Sequence, residues 1–174
     1  VFIADQSEVN LYGANQYISG TSITSFYDLN LLGTGLKIQT TDAVVTNVLD
    51  LNDRELATNL FKMTISNFSV NAIGRTIGFV SSLGDGRLVR YTNTSNPYLF
   101  PVGSSLGALR YRPIEILPSN TATEYDVRMV NNSPDLDGFN ILAKEPGILQ
   151  VHNNFYHIIE NTISNSADIT LFFD

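Results

Sequence analysis

Apolar and polar positions alternate with period two in short stretches along most of the chain, and Asn, Asp or Gly punctuates each stretch. "VFIADQSEVNLYG" predicts strands over 1–3 and 9–12 closed by Gly13. "SFYDLNLLGTG" alternates Tyr27, Leu29 and Leu31 before Gly33 and Gly35, and "VVTNVLDLND" repeats that design with Leu49 and Leu51. "LFKMTISN" follows with Phe61, Met63 and Ile65 in phase. One unit, an alternating apolar pair followed by Asn, Asp or Gly, is therefore reused.

Reuse at roughly twenty residues is what stacked coils of a β-solenoid produce, because each rung buries its apolar edge only against the next. The step to Met63 and Ile65 is shorter, which keeps an antiparallel meander as the alternative for the N-terminal part. The solenoid is the preferred reading. "DRELATNLFK" places Leu56 and Leu60 one helical turn apart, but its apolar phase then passes into the alternation of Phe61, Met63 and Ile65, so a short turn is expected instead of a helix. In "TIGFVSSLGDGRLVRYTN" the Asp85-Gly86 pair predicts a tight hairpin turn joining 77–82 to 87–91, with Gly86 supplying positive φ.

From Arg110 onward, "RYRPIEILP", "EYDVRMV", "FYHIIENT" and "ADITLFF" read as longer alternating strands at the spacing of an antiparallel β-sandwich. The expected organisation is all-β: a short-strand solenoid or meander over 1–92, a connecting corner over 93–109, and a sandwich-like region over 110–174. The corner, "YLFPVGSSLGALRYRP", is not a phosphate loop. Gly103 and Gly107 are too close, no Lys follows, and the next element alternates like a strand. Pro101 and Gly103 instead suit a type I turn.

Composition narrows the function. Ten Lys+Arg against 17 Asp+Glu give a net charge of −7, which repels nucleic acid. No apolar run approaches the ~20 residues of a membrane helix. The absence of Cys removes disulfides, thiolate metal sites and a cysteine nucleophile. Many neutral Asn, Ser and Thr side chains stand against three Lys, Lys37, Lys62 and Lys144, a palette we associate with an extracellular surface. No signal peptide opens the chain, Val1 reads as a cut end, and any secretion signal is expected upstream or already removed.

Chemical candidates are few. Arg110 and Arg112 flank Tyr111 on one strand and are expected to pair with Glu115, Glu124 or Asp126. His152 and His157, on an extended segment, would point to opposite faces and share no metal. "SPDLDGFN" offers Asp135, Asp137 and Asn140 as a fragment of a calcium loop, and a solvated turn is its default reading, because Pro146 stands where the closing Glu would be. No other cofactor is implied. No nucleophile–base pair at recognisable spacing is found and "VGSSLG" is read as the nearest miss to a nucleophile elbow, so no enzyme activity is expected. At the start of the chain, Val1, Phe2 and Ile3 precede the first charge, Asp5, and form an unguarded strand edge suited to pairing with other segments or copies of the protein.

"QYISGTSITSFYDLNLLGTGLKIQTTDAVVTNVLDLNDRELAT", "GFVSSLGDGRLVRYTNTSNPYLFPVGSSLGALRYRPIEI", "YDVRMVN" and "FYHIIENTISNSADITLFF" resemble the repeated body of large Bacteroidetes surface proteins associated with gliding motility and type IX secretion. The F-P-V-G turn followed by Tyr111-Arg112-Pro113 is the sharpest part of the likeness. The resemblance implies a secreted, cell-surface, adhesin- or filament-like segment, with its sorting domain C-terminal to Asp174 and no catalytic residues to transfer. Two functions follow as expectations: a structural or adhesive module, and, as the alternative, a carbohydrate-binding or polysaccharide-processing accessory module acting on surface glycans. An aromatic platform beside a carboxylate cleft would favour the second.

Overall fold

The computed structural model describes residues 5–119, 122–163 and 165–173. It is all-β and solenoid-like, with one 3-10 turn. The first rung carries β1 (Glu8–Leu11) and β2 (Gln16–Ile18), the second β3 (Thr24–Leu31) and β4 (Lys37–Gln39), and the third β5 (Ala43–Asp50) and β6 (Glu55–Ala57). The fourth carries β7 (Lys62–Ile65), β8 (Ile73–Gly74) and β9 (Phe79–Ser81), and the fifth opens with β10 (Arg87–Thr92), β11 (Tyr98–Phe100) and β12 (Gly103–Ser104). Strands β13 (Arg110–Tyr111), β14 (Ile114–Pro118), β15 (Thr123–Val130), β16 (Tyr156–Asn161) and β17 (Ala167–Leu171) complete the chain.

Pairing from β1 through β10 is parallel, which decides for the solenoid over the meander. One sheet runs β1-β3-β5-β7-β10 and a second runs β2-β4-β6-β9. Glu8 pairs with Asp28, Ala43 with Met63 and Lys62 with Arg87, so the step begins at twenty residues and lengthens where β8 is inserted. Side chains of one phase stack into the core: Phe26 on Val45 on Ile65, and Ala43 on Met63 on Leu88. Leu29, Leu31, Leu49, Leu51, Met63 and Ile65 are fully buried, each worth about 1.5–3 kcal/mol of transfer free energy.

The abundance of Asn has a structural use. Asn30 donates to Asn10 (3.2 Å) and Asn67 to the backbone carbonyl of Asn47 (3.0 Å), so amides bridge successive rungs along the outer face. Asn52 (φ 47°) and Asn59 (φ 54°) take the left-handed conformation at rung corners, which their short polar side chains tolerate. The segment "DRELATNLFK" is accordingly β6 between two corners and not a helix.

Beyond Tyr111 the strands pair antiparallel. β15 and then β16 extend the first sheet past β10, while β11, β14 and β17 form a three-stranded sheet. The expected hairpin across Asp85-Gly86 does not form. β9 pairs in parallel with β6 and β10 in parallel with β7, so this segment is a rung corner between two sheets. Gly86 has no positive φ; it is needed because a Cβ there would lie 2.5 Å from the Asn59 carbonyl of the rung before.

The type I turn expected at Pro101 and Gly103 is also corrected. Val102 N–H donates to the Phe100 carbonyl (2.9 Å), a three-residue turn centred on Pro101, and Gly103 already belongs to β12. Val102 bridges Val80 in parallel and the Pro101 carbonyl accepts from Val80 N–H (2.8 Å), which continues the second sheet by one more rung. The segment 93–109, expected as a connecting corner, thus delivers Tyr98, Phe100 and Val102 into the same buried cluster that holds Leu29 and Val127. No helix is long and apolar enough to cross a membrane among the described residues.

Candidate functional site

Two features of the fold offer chemistry: the open edges of the sheets and a groove along one corner of the solenoid. At the first rung, β1 and β2 each end a sheet, with no strand on their outer side among the described residues. Val9 and Leu11 turn inward and are half-buried, while Tyr12 (76% exposed) and Tyr17 (61% exposed) stand outward on the same rung. Val1, Phe2 and Ile3, the expected assembly edge, lie outside the described residues.

The groove, about 590 Å³, crosses the corners of successive rungs from Asn15 through Leu36 and Arg54 to Ile77 and Tyr111. The corners of the first two rungs are tied together by Lys37, which is fully buried. The ammonium donates to the carbonyls of Gly13 (3.1 Å), Ala14 (2.9 Å) and Thr34 (3.2 Å) and to Gln16 Oε1 (3.0 Å). Burial, and secondarily the charge of Arg54, lowers its pKa. At the rim Asp53 and Arg54 form a side-chain ion pair. Glu55 accepts from Ser81 Oγ (2.6 Å) through one carboxylate oxygen.

Arg75 is held differently. Its Nε donates to the Gly78 carbonyl (2.7 Å) and its guanidinium lies 4.2 Å from the centroid of Tyr111, which packs at 6.4 Å from Phe79. The planar fork is thus fixed in orientation, and it makes no ion pair among the described residues. The aromatic wall is partial: Arg75 covers a face of Tyr111, and Phe79 is only 9% exposed.

The other expected residues are dispersed. Asp126, one proposed partner for the arginine pair, is taken by Lys62, while Arg110 donates to Asn131 and Arg112 stacks at 5.3 Å on Phe155. Asp135 and Asp137 lie on the 3-10 turn (Pro134–Asp137), with Asn140 just beyond. Asp135 accepts from Ser133, Asp137 from the Tyr156 hydroxyl (2.7 Å) and Asn140 from Leu142 N–H (3.0 Å), so the three oxygens of the candidate calcium turn face separate partners. A bend over 153–154 replaces the extended segment expected between the histidines. His152 and His157 therefore flank Phe155, at 4.5 and 5.9 Å, where burial lowers the pKa of His157 and its ring nitrogen contacts the Arg112 carbonyl (2.8 Å).

Residues 103–107 do spell G-x-S-x-G around Ser105. An elbow of that kind needs a strand-to-helix turn; here β12 leads through an exposed irregular segment to β13, and no helix follows.

Sequence reasoning missed Lys37, Arg75 and Arg90. Arg90 continues the buried stack of Phe26, Val45 and Ile65, and its guanidinium donates to the carbonyls of Leu99 (2.7 Å), Ser69 (2.9 Å) and Val70 (3.1 Å). Burial lowers its pKa to about 10. Its phase with Leu88 in "RLVRYTN" was the one local signal, because an arginine on the core side of a strand must bring its own hydrogen-bond partners. Nothing in the local pattern marks Arg75, whose ring partner lies on a distant strand.

No family model, no curated protein and no solved structure matches the chain.

Proposed function

We propose that the chain is a non-catalytic structural or adhesive module of a larger secreted cell-surface protein, lengthened at its first rung by strand addition. The observation that carries this reading is the pair of edges at β1 and β2: among the described residues, both parallel sheets end on the same rung. Unpaired backbone groups there are a template for further strands, supplied by preceding sequence or by a neighbouring copy. The exposed Tyr12 and Tyr17 and the Asn10–Asn30 bridge would find continuation on an added rung.

At the far end, β10-β15-β16 and β11-β14-β17 act in this reading as a sandwich-like closure, making growth directional. The Asn-, Ser- and Thr-rich surface with few Lys supports an extracellular setting, and the likeness to gliding-associated, type IX-secreted surface proteins supplies its cellular context.

Sedimentation across a concentration series, paired with hydrogen exchange over 8–18, tests the proposal. Association that rises with concentration and slows exchange at β1 and β2 is expected. A monomer at every concentration whose β1 and β2 amides are already strongly protected would overturn it.

A further inference from the structure

The corner groove runs across the strands, along the solenoid axis. Rungs are spaced by ~4.8 Å, so a groove reaching from Asn15 on the first rung to Ile77 on the fourth extends for roughly 14 Å. That shape suits an extended chain lying lengthwise better than a compact metabolite.

Its chemistry is mixed and balanced. Asp53 and Arg54 neutralise one another, which leaves Arg75 against Glu55 and no net charge along the floor. The groove also combines both hydrogen-bonding senses. The terminal nitrogens of Arg75 and the amide nitrogen of Asn15, whose Oδ1 is held by Leu36 N–H (2.9 Å), are donors. The second carboxylate oxygen of Glu55 is an acceptor. Between these planar groups, Ile77 and Leu109, each 72% exposed, present apolar surface. Apolar walls with a few fixed polar groups are the usual makeup of a ligand site.

We propose that this groove binds a neutral oligosaccharide lying along the solenoid axis. Sugar hydroxyls both donate and accept, so adjacent hydroxyls can engage a guanidinium and a carboxylate at once, while ring C–H faces cover Ile77 and Leu109. An acidic polymer is disfavoured, since the groove offers it no net positive charge and the chain as a whole carries −7. Arg75 is pre-organised for binding, because Gly78 and Tyr111 hold its fork in place and little side-chain entropy remains to be lost. This site is independent of strand addition, because the groove belongs to a corner and not to a sheet edge.

Calorimetric titration of the 174-residue chain with neutral hexasaccharides of glucose, xylose and mannose, and with a galacturonate hexamer, tests this on wild type, Arg75→Ala and Glu55→Gln. Saturable binding of a neutral hexasaccharide, weakened about 10-fold or more in each variant, is expected, as befits loss of a hydrogen bond to a charged group. Glu55→Gln keeps an acceptor for Ser81 Oγ and decides the matter if Arg75→Ala melts early. The proposal fails if no neutral hexasaccharide binds, if the galacturonate hexamer binds more tightly, or if a folded Glu55→Gln binds as wild type does.

Discussion

Val102 bridges Val80 in parallel, and the residue after it, Gly103, sits where a Cβ would come 2.9 Å from Cδ2 of Phe79 and 2.6 Å from the Arg110 carbonyl. Gly103 is therefore required by close approach of neighbouring strands and not by a turn conformation. Gly103→Val is expected to cost about 1–3 kcal/mol through overpacking. Pro101→Ala should cost less, about 1 kcal/mol at most, chiefly by loosening the unfolded chain. Thermal melts of the two variants check the order; equal midpoints would contradict the assigned packing.

Arg90 replaces an apolar side chain in a buried stack and satisfies three carbonyls there. Arg90→Met keeps much of the volume but withdraws the guanidinium from all three carbonyls; Ser69 still accepts from Ala72 N–H (3.1 Å), whereas Leu99 and Val70 lose a charged donor, for a loss of about 3 kcal/mol. Urea denaturation measures it, and an unchanged midpoint would show that the guanidinium is dispensable.

Lys37 is fully buried, whereas the side chain of Lys62 is 51% exposed and Lys144 lies on an exposed loop. Amine acylation of the native protein, read by mass spectrometry, should modify Lys62 and Lys144 and spare Lys37 until the chain is unfolded. Lys37→Met should lower stability by about 2 kcal/mol, because the Ala14 and Thr34 carbonyls lose a charged donor, while Gly13 still accepts from Thr34 N–H (2.6 Å).

His157 gives a pH dependence of known sign. Its folded pKa lies below the ordinary 6.5, burial being the main cause. Its contribution to stability is full above 6.5; as the pH falls from there to the folded value the unfolded chain takes up the proton first, and stability declines. The urea midpoint should drop as the pH falls below 6.5, and less so in His157→Gln. Identical pH profiles for the two proteins would rule this out.

Much of the architecture was legible because the period-two pattern and its roughly twenty-residue reuse both report burial of one strand face. Leu29 and Leu49 announced their stacking by repeating the same local unit. The Asp85-Gly86 hairpin misled for a physical reason. A glycine can be present to let another backbone approach, and Asn59, the neighbour that requires it, is on the preceding rung. The two histidines were misplaced because a bend, invisible in the alternation, separates them.

What the amino-acid sequence determined by itself is the all-β class, the strand phases and the Asn-rich corners, since each depends on side chains close along the chain. Only tertiary structure decided that the strands stack in parallel, that Arg90 caps three distant carbonyls, and that Asn15, Glu55, Arg75 and Tyr111 share one groove. These residues meet because rung stacking superimposes positions twenty or more residues apart, and no local pattern carries the register that aligns them.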